Sequence, residues 1–196
     1  MNLRVDKTGQ GCRIVGMPAT NTPFRVVFVC TGNTCRSPMA RAVFDRLIDE
    51  AGLAGRVASS SAGTGDWHVG ERADNRTLEI LQQRGYDGSV HRARQFATGD
   101  FTANDLIVAM DRSHERILQH WAPNDDSRDR IALLLGLVGR SDGVLDIPDP
   151  YHGEIEDFEL VMDIVEDAIR NLVEQLVPAL RSMPQQGVLR SSADAH

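Results

Sequence analysis

Residues 30–37 read Cys30-Thr31-Gly32-Asn33-Thr34-Cys35-Arg36-Ser37. This run of small and polar residues lies between an apolar stretch, Val26-Val27-Phe28-Val29, and Pro38-Met39-Ala40-Arg41-Ala42-Val43-Phe44. The apolar stretch has the length and β-branched content of a buried parallel strand, and the segment after the run starts as a helix does. The run is therefore a strand-to-helix loop. Successive backbone N–H groups of such a loop, together with the free N–H groups of the first helical turn, form a concavity that holds an oxyanion. Gly32 and Asn33 are residue types that accept a positive φ, Ser37 is expected to cap the helix, and Pro38 suits its first position. The same N–H groups favour a thiolate, so Cys30 reads as a nucleophile at one end of the cradle. At the other end Arg36 offers a planar fork that can hold two phosphoryl oxygens. On this reading Thr31, Gly32, Asn33, Thr34, Cys35, Arg36 and Ser37 surround a phosphate site, and Cys30 and Arg36 carry its chemistry. A buried core cysteine beside a surface arginine is the plainer alternative, but the turn residues, the cap and the helix start all agree around a C-x5-R-S spacing.

Outward from the loop, the chain alternates apolar strand-like runs with amphipathic helical ones. Residues 56–61 read as a polar second strand, 105–110 as a third strand and 131–135 as a fourth. Met39, Val43, Leu47 and Ile48 share one helical face. Asp74 is placed to cap a helix that buries Leu78 and Leu81 and stops at Gly85. A helix is expected over 112–120. A long one should follow Asp157, with Phe158, Val161, Met162, Val165, Ile169, Leu172, Val173 and Leu176 on its buried stripe. Four buried strands alternating with helices predict a single α/β domain. Its four-stranded parallel sheet is doubly wound, with helices on both faces and the phosphate-binding loop after the first strand. Ligands of such sheets bind beyond the carboxyl ends of the strands, where the Cys30 loop falls. The pair Gly63 and Gly65 lacks the rest of a dinucleotide fingerprint.

The chain has 196 residues, 41% of them hydrophobic and 25% charged, enough for one domain with a sizeable core. Residues 1–23 show no sustained period and read as a poorly ordered extension, residues 24–182 as the domain, and 183–196 as a polar tail. Cys12 has no visible role, and Met17 is an alternative start close to the first strand. A net charge of −7 argues against a nucleic-acid partner. No apolar run reaches membrane-spanning length and no secretory pattern opens the chain, so no membrane partner is expected and the expected compartment is the cytoplasm. Three cysteines, none at the spacing of a disulfide scaffold, fit that compartment. A dianionic phosphate entering an acidic protein needs a locally positive site, for which Arg72, Arg76, Arg92 and Arg94 are rim candidates or simply solvated surface. No cofactor is expected, and no His/Cys pair has the spacing of metal ligands.

With these residues in place, the chain resembles the low-molecular-weight protein tyrosine phosphatase family. The resemblance rests on C-x-G-N-x-C-R-S-P after a strand and on Ile147-Pro148-Asp149-Pro150-Tyr151-His152-Gly153. It extends to Ser61-Ala62-Gly63-Thr64, Trp67-His68-Val69-Gly70, His91-Arg92-Ala93-Arg94-Gln95 and Ala109-Met110-Asp111, from about residue 24 to about 181. It implies a metal-free hydrolysis of phosphotyrosine through a phosphocysteine on Cys30, with Asp149 as general acid and then general base. The substrates would be phosphorylated proteins or peptides, and phosphate and related oxyanions would inhibit. Asn33, Ser37, Ser61 and His91 match the family's loop-supporting network, although His91 also reads as an ordinary satisfied histidine. Trp67 and Tyr151 match the aromatic rim, with surface packing as the alternative for Trp67. Cys35 matches the redox partner of the nucleophile, with a small apolar filler as the alternative.

Two departures bear on the substrate. Thr34 stands where tyrosine-directed members usually carry an aliphatic residue and where related protein arginine phosphatases carry Thr, so phosphoarginine is the rival substrate. His152 replaces a second Tyr after the Asp-Pro-Tyr motif. Arsenate reductases share the loop, but those that relay a disulfide use cysteines far downstream, and this chain has none after Cys35.

Overall fold

The computed structural model describes residues 4–6, 13–15, 22–139 and 143–182. Its centre is β3, Phe24–Cys30, buried along its length except at Arg25. Successive side chains of a strand point to opposite faces, and β3 divides accordingly. Phe24, Val26, Phe28 and Cys30 belong to one core cluster, and Val27 and Val29 to the other. A parallel sheet forms around it in the order β4-β3-β5-β6, with β4 Val57–Gly63, β5 Leu106–Ala109 and β6 Ile131–Leu133. Helix α1, Arg36–Glu50, follows the loop after β3. It packs against α7, Ile155–Ser182, and covers the first face together with α2, Asn75–Gln83, and the short α6, Leu134–Leu137. The second face carries α4, Arg112–Trp121, with the short α3, Asp100–Ala103, and α5, Asp125–Asp129.

The expected doubly wound sheet is thus present, and its topology locates the site. The connection out of β3 runs toward β4, whereas the one out of β5 runs toward β6. The crevice between the carboxyl ends of β3 and β5 is therefore the switch point at which ligands of such sheets bind. The long buried stripe expected on the last helix is also present in α7, where each fully buried large apolar side chain stabilises the fold by about 1.5–3 kcal/mol.

Four local expectations are corrected. Helix α1 begins at Arg36 with Cys35 in the cap position, so Ser37 lies inside the first turn and does not cap. Pro38 is then the third helical residue, still among the four whose N–H would have no helical partner. The fourth strand stops at Leu133, because Leu134 and Leu135 turn into α6. Helix α7 starts at Ile155, and Asp157 lies within its first turn, where its carboxylate accepts from Glu154 N at 2.9 Å. Within the first 23 residues Arg4–Asp6 (β1) and Arg13–Val15 (β2) pair as an antiparallel ribbon where the sequence suggested no regular structure. Cys12, Met17 and the tail 183–196 lie outside the described residues. Among the described residues, no helix is long and apolar enough to cross a membrane.

Candidate active site

The loop from Cys30 to Arg36 wraps the carboxyl end of β3 and is pinned from below by hydrogen bonds. Asn33 has φ 57°, the expected left-handed conformation, and is fully buried. Three partners hold it there: Arg94 N donates to its Oδ1 at 3.0 Å, its Nδ2 donates to Ser37 Oγ at 2.9 Å, and its carbonyl meets His91 Nε2 at 2.7 Å. Because Oδ1 is taken by a backbone N–H, the orientation of the amide is fixed. Ser37 Oγ accepts from it and keeps its own hydrogen for Cys30 Sγ, 3.0 Å away. Burial lowers the pKa of His91 below the ordinary histidine value, as do the cations of Arg41 and Arg92. A neutral ring donating Nε2–H to the Asn33 carbonyl satisfies both groups.

Asn33, Ser37 and His91 therefore meet as expected, but Ser61 does not join them. It sits in β4 in register with Phe28, and its buried hydroxyl has no hydrogen-bond partner among the described residues. Gly32 is not at positive φ; its lack of a side chain matters because a Cβ would come 2.8 Å from the His68 ring. The Gly63 and Gly65 pair is explained in the same way. A Cβ on Gly63 would lie 2.6 Å from Thr31 O, and one on Gly65 would overlap the Trp67 ring. Their backbones pass directly beneath the loop, with Thr64 N donating to Cys30 O and Gly65 N to Thr31 O at 2.9 Å each.

Above the loop lies a cavity of about 280 Å³ lined by Cys30, Thr31, Gly32, Thr34, Cys35 and Arg36 from below, and by Trp67, His68, Asp149, Tyr151 and His152 from the sides. Cys30 is 3% exposed at its floor, whereas Trp67 is 70% and Tyr151 38% exposed at its mouth. Asp149 arrives from the other side of the switch point. Ile147 N donates to Met110 O at 3.0 Å beyond the end of β5, and the chain then turns Asp149 into the cavity. The Arg36 guanidinium is almost fully buried. Its Nη1 donates to Asp111 Oδ2 at 2.8 Å and Ile147 O at 3.1 Å, and its Nη2 to Asp149 Oδ2 at 2.6 Å and Thr31 Oγ1 at 3.3 Å. Asp111 stays ionised despite burial, because hydrogen bonds from His114 and Ser113 hold its carboxyl well below the usual carboxylate range. Cys35 is a free thiol, and burial pushes its pKa up to about 12.

Sequence reasoning missed three participants. His68 lines the wall, its Nδ1 2.7 Å from Glu71 Oε2. Arg76, considered only as a rim cation, does not face the cavity. It pairs with Asp74, donates to Gly153 O at 2.7 Å and Tyr151 O at 3.0 Å, and lies 4.2 Å over the Phe158 ring, tying the Asp149 loop to the start of α2. His114 is buried beneath Thr31, and an Asp helix cap at the switch point followed by His three residues later was the available signal. The other arginines named for the rim are engaged elsewhere: Arg94 pairs with Asp100 and Arg92 donates to His91 O, while Arg72 borders a separate groove.

A buried thiol at the floor of a strand-to-helix loop, a guanidinium beside it and a carboxylate on the wall define a cysteine-dependent phosphatase site. Residues 25–181 match the family described as low molecular weight phosphotyrosine protein phosphatase. A low molecular weight protein-tyrosine-phosphatase of Streptomyces coelicolor is 46% identical over 151 residues, which are 76% of this chain and 92% of that protein. The crystal structure of a protein tyrosine phosphatase from Entamoeba histolytica, with Hepes in its active site, matches with TM-score 0.74 at 33% identity, over 80% of this chain and 98% of that one. YwlE arginine phosphatase, known from Bacillus subtilis and solved with a phosphorylated active-site serine, matches with TM-score 0.70 at 30% identity, over 78% of this chain and 95% of that one. The chain belongs to the low-molecular-weight protein tyrosine phosphatase family.

Proposed function

We propose that residues 24–182 form a phosphatase domain that hydrolyses phosphotyrosine in proteins, with Cys30, Arg36 and Asp149 as its catalytic residues. The Cys30 thiolate attacks phosphorus in line, the loop N–H groups and Arg36 hold the three equatorial oxygens, and the bond from phosphorus to the aryl oxygen breaks. Protonated Asp149 gives its proton to the departing phenolate oxygen. In the second step the same carboxylate takes a proton from water as that water attacks phosphorus, and the phosphorus–sulfur bond breaks to return the thiolate. The Ser37 hydroxyl, directed at Cys30 by Asn33, stabilises that thiolate in both steps. Inorganic phosphate and oxyanions of its shape occupy the same cradle, and we place the enzyme in the cytoplasm, as its free Cys30 and Cys35 thiols suggest. Cys35 can close a disulfide with oxidised Cys30, slowly, because its high pKa leaves little thiolate.

The observation that carries the reading is the depth of the site. Cys30 is buried at the floor while Trp67 and Tyr151 stand exposed at the mouth, so a substrate must carry its phosphate at the end of a long flat side chain. Phosphotyrosine has that shape and phosphoserine does not. Thr34 also lines the cavity, with Oγ1 3.6 Å from Cys35 Sγ, and keeps phosphoarginine as the rival substrate. The aromatic walls favour tyrosine. The test is phosphate release from phosphotyrosine and phosphoarginine peptides side by side, with Cys30→Ser as control. We expect the tyrosine substrate to be preferred and Cys30→Ser to bind vanadate without turnover. Faster release from phosphoarginine, or turnover by Cys30→Ser, refutes the assignment.

A further inference from the structure

Arg36 can only donate hydrogen bonds, so every group that steadies its fork must accept. Thr31 Oγ1 is one of these, at 3.3 Å from Nη2, and the same oxygen lies 2.8 Å from His114 Nε2. With one lone pair facing Arg36, the Thr31 hydroxyl still has a second lone pair and its hydrogen, and either can meet Nε2. The other ring nitrogen is Nδ1. That atom is buried 2.9 Å from Asp111 Oδ1 and has no partner besides Asp111 among the described residues. Asp111 Oδ2 closes the circuit by accepting from Arg36 Nη1 at 2.8 Å. Arg36, Asp111, His114 and Thr31 thus form a ring of contacts, and the His114 ring, 1% exposed, joins its two halves.

We propose that His114 is a positioning residue of the phosphate site, which fixes the Thr31 hydroxyl as an acceptor and so holds the Arg36 fork on both terminal nitrogens. His114 does not line the cavity and acts only through Thr31 and Asp111. A histidine buried merely for packing would be satisfied by groups of the core. Here one ring nitrogen meets a residue of the cradle and the other faces the carboxylate that anchors the cradle's arginine. The role becomes important when phosphate enters. Arg36 Nη2 then turns from Asp149 to a phosphoryl oxygen, and Asp111, Ile147 O and Thr31 are what remain to hold the guanidinium.

The inference rests on the proposed phosphatase function, and four enzymes test it: His114→Leu, His114→Gln, Thr31→Val and the His114→Leu/Thr31→Val pair. Vanadate dissociation constants, kcat/KM on an aryl phosphate and thermal midpoints are measured for each. His114→Leu should weaken vanadate binding about tenfold, the scale of one lost hydrogen bond in a charged network, and lower kcat/KM in step. His114→Gln, which returns a polar group toward Thr31, should recover part of the loss. In the Thr31→Val background, His114→Leu should cost less than about twofold more, because the shared contact is already gone. If His114→Leu does not fold, the same cycle is run with His114→Gln. Multiplying losses, unchanged vanadate affinity in a folded His114 variant, or a Gln variant no better than the Leu one overturns the proposal. A wild type that neither binds vanadate nor releases phosphate overturns the phosphatase reading, and this inference with it.

Discussion

Asn33→Ala separates two contributions to the shape of the cradle. Asn33 is held at φ 57° by an amide that accepts from Arg94 N and donates to Ser37 Oγ. Alanine at the left-handed position costs about 1–2 kcal/mol in backbone sterics. Removing the amide also leaves the Arg94 N–H and the Ser37 oxygen short of a partner, at about 1–3 kcal/mol for each group that water does not reach. The sum is about 3–8 kcal/mol if water reaches neither group, unless the loop relaxes and surrenders its geometry instead. Asn33→Gly loses the same hydrogen bonds but not the steric freedom, so it should be more stable than Asn33→Ala by about 1 kcal/mol. Both should lose phosphate affinity and kcat/KM heavily, because Ser37, no longer oriented by the amide, ceases to direct its hydrogen at Cys30. Urea unfolding gives the stability difference and steady-state kinetics the functional loss. If Asn33→Ala is as stable as Asn33→Gly, or if either variant keeps kcat/KM within about twofold of wild type, the loop is not held in the way argued.

Asp149→Asn should cost about 10²–10⁴-fold with phenyl phosphate and much less with a nitrophenyl ester, whose leaving group needs no proton; equal losses on both would mean a structural role. Arg76→Met should lower kcat about tenfold with phenyl phosphate while leaving vanadate affinity near wild type, since Arg76 holds the Asp149 loop through Tyr151 O and Gly153 O and makes no hydrogen bond to the cradle among the described residues. Weakened vanadate binding of similar size would show that Arg76 acts on the cradle after all. His91 predicts the direction of a pH effect. Burial lowers its pKa below about 6.5, so between that lowered value and 6.5 the unfolded chain binds more protons than the folded one, and stability falls as the solution is acidified through that window. Urea midpoints at pH 7.5 and 5.5 should separate more for wild type than for His91→Gln; equal separations would remove His91 as the cause.

Most of this site was legible because its chemistry lies in consecutive residues. The loop from Cys30 to Ser37 needs a strand before it and a helix after it, and both were visible as apolar runs of the right period. Legibility failed where direction or partner depends on the fold. The run from Ile131 to Leu135 is apolar throughout, and composition alone does not say where a buried strand becomes a buried helix. Ser37 has the chemistry of a cap, but Asn33 and Cys30 claim its hydroxyl. Ser61 was assigned to the loop network, yet its hydroxyl finds no partner there. Arg76 read as one arginine among several, because its partners Tyr151 and Gly153 are 75 and 77 residues away along the chain.

The two carboxylates that share Arg36 differ in a way that bears on catalysis. Asp111 is 17% exposed, capped into the start of α4, and fixed to Nη1. Asp149 is 47% exposed, on a loop, and held by Nη2 and by Tyr151 N, which donates to its Oδ1 at 3.3 Å. A dianionic phosphate competes for the guanidinium with whichever carboxylate is cheaper to move. Water can solvate Asp149 as it leaves, whereas freeing Asp111 would strand a buried charge, a change that costs several kcal/mol. Phosphate should therefore displace Asp149 and leave Asp111 in place. The carboxylate thus released is the one proposed to act on the leaving group. On the proposed mechanism one arginine would then serve as substrate clamp and, by exchanging Asp149 for phosphate, would free the carboxylate that acts on the leaving group.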